Sequence, residues 1–90
     1  MSTVTDNPIL TRYELVEEGK LAFADYSIRD GIMVIPHVEA DPALRGKGAA
    51  GRLMEGVLQD ARQRGFKIRP VCSYAVAYIE RHPEHRSLLA

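Results

Sequence analysis

A Gly-rich stretch in the middle of the chain carries the residue types best suited to chemistry. Residues 44–53 read LRGKGAAGRL and run directly into an amphipathic pattern. Glycines leave backbone N–H groups open to an anion, and the positive end of a following helix dipole favours negative charge at the same place. The stretch predicts a phosphate cradle, with a tight turn flanked by solvated cations as the alternative. Its candidate binding residues are Arg45, Gly46, Lys47, Gly48, Ala49 and Ala50.

Two familiar nucleotide motifs do not fit this stretch. Gly46, Gly48 and Gly51 match G-x-G-x-x-G, but that motif needs a strand immediately before it and a carboxylate about 20 residues further on. The preceding apolar strand ends earlier, near Val38, and residues 69–72 contain no carboxylate. The Walker pattern fails because no Gly-Lys pair is followed by Ser or Thr.

Several side chains could take part in catalysis. Cys72 stands just before a predicted helix, where a thiolate is stabilised and becomes nucleophilic, although a lone cysteine can also be a small apolar residue. Glu39 and His37 are candidate general bases, with a solvated carboxylate and a half-buried imidazole as the alternatives. Tyr74 and Tyr78 lie four residues apart on one helical face, so either could be a general acid or pack in the core.

No metal site is expected from the ligand types. The chain has a single cysteine and three histidines, so neither a disulfide nor a familiar zinc spacing is present. His82 and His85 are separated by Pro83 and Glu84, which fits the end of a helix better than a pair of ligands on one.

The elements that must position these residues follow from hydrophobic periodicity. Ninety residues suffice for about one domain. We predict a flexible arm over 1–8 and a single domain over 9–90. Within it we expect strands at 11–16, 20–28, 32–35 and 66–71, helices at 48–64 and 74–82, and a tail at 86–90.

The order of these elements predicts an α+β fold with a mostly antiparallel sheet. The strands at 11–16 and 20–28 should be antiparallel around a tight turn at residues 17–19. Asp30-Gly31 is a strong hairpin signal, and the apolar run at 32–35 predicts a central strand covered on both faces. Because proline lacks one ladder donor, pairing of this strand should bulge or end at about residues 36–38. Gly65 should end the main helix, and the last strand should lie parallel to the third through a right-handed crossover.

Charge and hydropathy exclude several classes of protein. Twelve Lys and Arg balance twelve Asp and Glu, and the pI is near 6.8, which argues against nucleic acid or an anionic membrane as partner. The longest apolar run, residues 74–79, is too short to span a bilayer. Without a secretory signal pattern, a cytoplasmic location is the expectation.

The cradle and its surroundings resemble the GNAT superfamily of acetyl-CoA-dependent N-acetyltransferases. Its pyrophosphate loop, [QR]-x-x-G-x-[GA], matches Arg45, Gly48 and Ala50 after a bulged strand. The match is closer to a short single-domain branch of about 90 to 100 residues. That branch's H-T-E-V, L-R-G-K-G-x-A-x-x-L, C-P-Y and Y-I-x-x-H-P-E motifs correspond here to residues 37–39, 44–53, 72–74 and 78–84.

The resemblance implies a minimal acyl-CoA N-acyltransferase fold that binds acetyl-CoA or CoA and acetylates a primary amine of unknown identity. It places the pantetheine against His37 and Val38, the pyrophosphate on the N–H groups of residues 46–50, and Tyr78 beside the cofactor. Cys72 would stand near the acetyl group, either relaying it or leaving the amine to attack directly. From their residue types, and not from the resemblance, Tyr74 is the candidate acid for the thiolate and Glu39 the candidate base, with Tyr78 and His37 as the alternatives.

Departures from the family leave alternatives open. Val38 and Ser73 replace residues that are often Thr and Pro, and the chain lacks the N-terminal helices and last strands that wall the acceptor site in larger members. A non-catalytic CoA-binding or protein-interaction module and a general nucleotide-phosphate binder are therefore alternatives. The apolar C-terminal helix of so short a chain also leaves a homodimer open.

Overall fold

Five strands and two α-helices form the fold of residues 3–90, the part of the chain that this computed structural model describes. The strands are β1 (Thr5–Asn7), β2 (Arg12–Glu17), β3 (Lys20–Arg29), β4 (Ile32–Ala40) and β5 (Lys67–Pro70), and the helices are α1 (Ala49–Arg64) and α2 (Ser73–Arg81). Short 3-10 helices span Pro42–Leu44 and Pro83–Leu88. The sheet has the order β1-β2-β3-β4-β5, and the predicted α+β class is confirmed.

Two tight turns connect β2 to β3 and β3 to β4. The central residues of the first are Glu18 and Gly19, with φ of 52° and 73°, and those of the second are Asp30 and Gly31, with φ of 53° and 76°. Two positive φ values in succession are typical of the turn whose twist suits antiparallel strands. Both predicted hairpins are confirmed.

The crossover from β4 to β5 passes through α1. The two strands run parallel, with Ile32 opposite Lys67 and Ile35 opposite Pro70. The helix begins after Gly48 and ends at Gly65, both in the left-handed region with φ of 79°. Glycine suits that conformation because it has no Cβ to clash with the backbone. The predicted bounds of this helix and the predicted parallel pairing are confirmed.

The core lies between one face of the sheet and the two helices. Met33 and Ile35 are fully buried, whereas their neighbours Ile32 and Val34 are only half-buried. The prediction that β4 is covered on both faces is therefore wrong, because α1 and α2 pack on the same face. The apolar stripe of α1 fills this core with Ala49, Leu53, Met54, Val57, Leu58 and Ala61.

The start of the chain departs from the arm predicted over residues 1–8. Thr5–Asn7 pairs with β2 in antiparallel register, and Asp6 accepts hydrogen bonds from Tyr26 Oη and Arg64 Nη2, each at 2.7 Å. A strand of three residues is too short to give a pattern, so only these distant partners reveal it. Residues 1 and 2 of the predicted arm lie outside the described residues.

The end of the chain is also more ordered than the predicted tail. Pro83–Leu88 forms a 3-10 helix that buries His85 and Leu88, and the N–H of Ala90 donates to the carbonyl of Ile68 at 2.9 Å. The apolar side of α2 is likewise used within the chain, since Ala75 and Ile79 are buried. No helix among residues 3–90 is long and apolar enough to cross a bilayer.

Candidate functional site

A fork between the two parallel strands is the first feature of the site. Pairing of β4 with β5 stops at Ile35 and Pro70, while β4 continues to Ala40 beside β3. The carbonyl of Ile35 accepts the N–H groups of Val71 and Cys72, each at 3.1 Å. Beyond this point, the edge of β4 that faces away from β3 has no strand partner within residues 3–90.

A bulge in β4 lies at the vertex of the fork. Asp25 is opposite His37, but Ser27 is opposite Val34, so β4 has one residue more than β3 over this stretch. The extra residue falls at Ile35–Pro36, where the missing N–H of proline interrupts the ladder. The bulge predicted from Pro36 is confirmed.

Alternation of hydrogen bonding decides which backbone groups of β4 face the open edge. The N–H of Asp41 donates to the carbonyl of Leu21 at 2.9 Å, so alternate residues of β4, including His37, direct their backbone groups toward β3. Val38 and Ala40 therefore direct theirs toward the fork. Of the two residues expected to pair with a ligand here, Val38 presents its backbone and His37 does not.

The predicted cradle follows β4 directly. Asp41 begins the short 3-10 helix by accepting the N–H of Ala43 at 2.8 Å. Next come Gly46 and Gly48, with φ of 77° and 79°. The N–H groups of Arg45 and Lys47 are bonded within the loop, to the carbonyls of Pro42 and Leu44. Five other N–H groups have no acceptor in residues 3–90, namely those of Gly46, Gly48, Ala49, Ala50 and Gly51.

A cavity of about 300 Å³ opens above these donors. Among the residues that line it are Asp41, Arg45, the glycines at 46, 48 and 51, and Tyr74. Of the residues predicted for the site, the cavity brings together Arg45, Gly46, Gly48, Ala49, Ala50 and Tyr74, and it is not lined by Lys47, His37, Val38, Glu39, Cys72 or Tyr78.

Three cations lie at or near the cradle, and they differ in their partners. The side chain of Arg45 makes no hydrogen bond or ion pair within the described part of the chain. Lys47 Nζ lies 2.9 Å from Glu18 Oε1, and Arg52 is paired with Glu17 at 2.6 Å. The pattern of residues 44–53 gave no sign of these carboxylates, because they lie about 30 positions earlier and were identified only as a turn.

The two tyrosines of α2 point to different places. Burial raises the pKa of Tyr74, whose Oη lies 3.8 Å from the position that a Cβ of Gly51 would take. Tyr78 instead donates its Oη to Glu55 Oε1 at 2.7 Å. Glu55 also contacts His85 Nε2 at 2.9 Å, which forms a partly buried polar cluster that sequence patterns did not indicate.

Cys72 occupies the N-cap position of α2, directly before Ser73, the first residue of the helix. Its side chain is half-buried against the core, and its backbone N–H is fixed by Ile35. The thiol is thus held where β4 and β5 separate, beside the open edge of β4.

The two candidate bases form a pair on the other face of the sheet. His37 Nε2 lies 3.0 Å from Glu39 Oε1, and these side chains are 51% and 60% exposed. The ring of His37 also lies near the ring of Phe23, with centroids 5.9 Å apart. Neither base lines the cavity, because the alternation of β4 directs both side chains away from the helices.

Comparison with known proteins adds three findings. The family model described as GCN5-related N-acetyl-transferase matches residues 12–88. The NMR solution structure of a GCN5-like protein from Staphylococcus aureus aligns with a TM-score of 0.75 and 22% identity, covering 97% of this chain and 86% of that one. No curated protein matches the chain in sequence.

Proposed function

The chain belongs to the GCN5-related N-acetyltransferase family, and we propose that it binds acetyl-CoA and transfers the acetyl group to a primary amine. The observation that carries this proposal is the set of five unbonded N–H groups that, with Arg45, belong to residues lining the cavity. Backbone donors at a helix N-terminus, with a cation beside them, suit a pyrophosphate.

The rest of the cofactor would lie along the fork. The open edge of β4 offers the backbone groups of Val38 and Ala40, which can pair with amides in the manner of an added strand. Such pairing would direct the far end of the ligand toward Ile35 and Cys72. When bound, acetyl-CoA supplies an activated thioester carbonyl, and the residues of the chain orient it and move protons.

Proton transfer can be assigned to residues around the fork. Tyr74 is protonated at neutral pH, as an ordinary tyrosine is, and burial raises its pKa further. Its hydroxyl, which lies on the lining of the cavity, is the proposed proton donor to a leaving thiolate. His37 and Glu39 can take a proton from an acceptor ammonium that approaches from the uncovered face of the sheet. Cys72 would serve either as a relay for the acetyl group or only as a packing residue.

Calorimetric titration with acetyl-CoA and with CoA tests the proposal. We expect micromolar binding by the unmodified protein and loss of binding in the double variant R45A/G48E, which removes the cation and places a carboxylate in the cradle. R45A alone should weaken binding about tenfold, as expected for one charged hydrogen bond. R29A, which removes an exposed cation from the β3–β4 turn, is the matched control.

Folding must be checked for G48E because Gly48 has φ of 79°. Circular dichroism of each variant provides that check, and R45E is the substitute if the double variant is unfolded. Absence of binding by the unmodified protein at millimolar ligand would contradict the proposal.

A second candidate function is a CoA-binding module without catalysis. It is favoured by the position of Cys72, His37 and Glu39, none of which lines the cavity. Release of free thiol from acetyl-CoA in the presence of a panel of primary amines separates the two functions. In C72A, lost turnover with unchanged CoA affinity would support a relay, whereas unchanged turnover would limit Cys72 to packing.

A further inference from the structure

We propose that Glu18, in the turn between β2 and β3, competes with the phosphates of the cofactor for Lys47 and so lowers the affinity of the cradle for anions. This inference rests on the proposed function. It assigns to the turn a part in ligand selection, with Glu18 as an internal counter-anion.

Two ion pairs join the turn to the cradle, and the inference is based on them. Lys47 Nζ donates to both carboxylate oxygens of Glu18, at 2.9 and 3.1 Å. Arg52 donates to both oxygens of Glu17, at 2.7 and 2.6 Å, and also to the carbonyl of Lys47 at 2.7 Å. The turn thus holds two carboxylates against the cations that follow Arg45.

The two ion pairs differ in how readily a phosphate can replace their carboxylate. The side chains of Lys47 and Glu18 are 47% and 63% exposed, so water and salt screen their attraction and a phosphate can displace the carboxylate. The Glu17 side chain is only 10% exposed, and its partner Arg52 fixes a carbonyl of the loop. The Arg52 pair therefore holds the shape of the loop, and the Lys47 pair is exchangeable.

The local backbone gives an independent reason to single out Glu18. Its φ of 52° lies in the left-handed region, where Asn, Asp and Gly are preferred and Glu is strained. The turn between β3 and β4, at the opposite end of the sheet, has the same geometry. Its first central residue, Asp30, has φ of 53°, within 1° of the value for Glu18. A residue that fits its turn poorly but reaches a cation of the cradle is consistent with selection for that contact.

The test compares CoA binding by the unmodified protein, E18Q and D30N. D30N removes one carboxylate from a turn of the same geometry, so it controls for net charge and for the turn itself. At low salt we expect E18Q to bind CoA about two to five times more tightly, the range of an exposed ion pair, and D30N to bind as the unmodified protein does. Inorganic pyrophosphate should show the same order, and the difference should disappear near 0.5 M salt.

A K47M background shows whether the effect acts through Lys47. The gain from E18Q should be lost when it is combined with K47M, and a gain that persists there would overturn the inference. Equal affinity of E18Q and D30N for CoA would also overturn it while leaving the proposed function intact. Failure of CoA to bind any variant would instead overturn the proposed function and the inference with it.

E18N separates the loss of the carboxylate from a change in the stability of the turn. Like E18Q it removes the charge, but Asn is favoured at a positive φ. E18N should unfold at a higher temperature than E18Q and should show the same gain in affinity. A gain that followed thermal stability rather than loss of the carboxylate would contradict the role of Glu18.

Discussion

Arg45 and Tyr74 are the two side chains that give the cavity its chemical character. Arg45 has no carboxylate partner in the described part of the chain. An anion can therefore bind its guanidinium without first displacing a carboxylate. Tyr74 brings a hydroxyl against the first turn of α1, where burial raises its pKa. In the proposed function the two side chains have different tasks, since Arg45 binds the anion and Tyr74 donates a proton.

Removal of the Tyr74 hydroxyl should separate these tasks. In Y74F we expect the affinity for acetyl-CoA to change less than about twofold, because the cradle is intact, and thiol release to fall by about a hundredfold or more. Since the pKa is raised, the rate of the unmodified protein should not decline from deprotonation of this group between pH 7 and 9.

The control for Y74F is Y26F, which removes a hydroxyl that is bonded to Asp6 outside the cavity. Thiol release by Y74F at the rate of the unmodified protein would remove Tyr74 from the mechanism.

Glu55 links α1 to α2 and to the 3-10 helix at 83–88. It accepts hydrogen bonds from Tyr78 Oη at 2.7 Å and from His85 Nε2 at 2.9 Å. Nδ1 of His85 is buried and has no partner among residues 3–90, so Glu55 is the group that holds this imidazole. The cluster fixes α2, and α2 in turn positions Tyr74.

The pH dependence of stability should report this link. Burial of Glu55 opposes its ionisation, but hydrogen bonds from Tyr78, His85 and Gln59 outweigh that effect and lower the pKa to about 2. Because the folded value lies below the unfolded one, the stabilisation is complete above about pH 4.5 and is lost as pH falls toward 2. E55Q should flatten this part of the profile.

Urea denaturation at pH 7, 4 and 2.5 measures the effect. At pH 7 we expect E55Q to lower the free energy of unfolding by about 1 kcal/mol, a value reduced for the partial exposure of the carboxylate. The control is E80Q, an exposed carboxylate of α2. Parallel profiles for E55Q and the unmodified protein would contradict the assignment.

Elements with a strong local signal could be predicted from the sequence. The two tight turns, α1 with its terminal Gly65, and the bulge at Pro36 all depend on residues that are neighbours in the chain. The cradle and its unbonded N–H groups belong to the same class, since glycines and a helix start suffice to indicate them.

Features formed by distant residues could not be predicted in this way. Strand β1, the contact of Lys47 with Glu18 across 29 positions, and the Glu55 cluster depend on pairing that no local pattern records. The directions of Tyr74 and Tyr78 were also undetermined, because both lie on one side of a helix that is apolar nearly all round. Packing against α1 decides between them.

At the scale of the whole molecule, a polar network ties the first strand to the end of α1. Asp6 accepts from Tyr26 and Arg64, and Asp60 accepts from Tyr13 at 2.5 Å and from Arg64 at 2.9 Å. Burial and the neighbouring carboxylate of Asp6 raise the pKa of Tyr26 to about 12. This network of side chains lies at the β1 side of the sheet, the side farthest from the fork.

D6N should loosen this edge and leave the cradle unchanged. We expect a loss of about 1 to 2 kcal/mol in the free energy of unfolding, since two charged hydrogen bonds are weakened. Amide exchange should accelerate over β1 and β2. CoA affinity should stay within twofold, and a large loss of affinity would show that the network also supports the site.

The central claim is that the cradle and the open edge of β4 form one cofactor site. Titration of the nitrogen-15-labelled protein with acetyl-CoA, followed by amide chemical shifts, tests it most directly. We expect the largest shifts at Gly46, Gly48, Ala49, Ala50 and Gly51, with a second group at Val38 and Ala40, all saturating together. Shifts centred instead on the surface groove between Gln59 and Glu84 would contradict it.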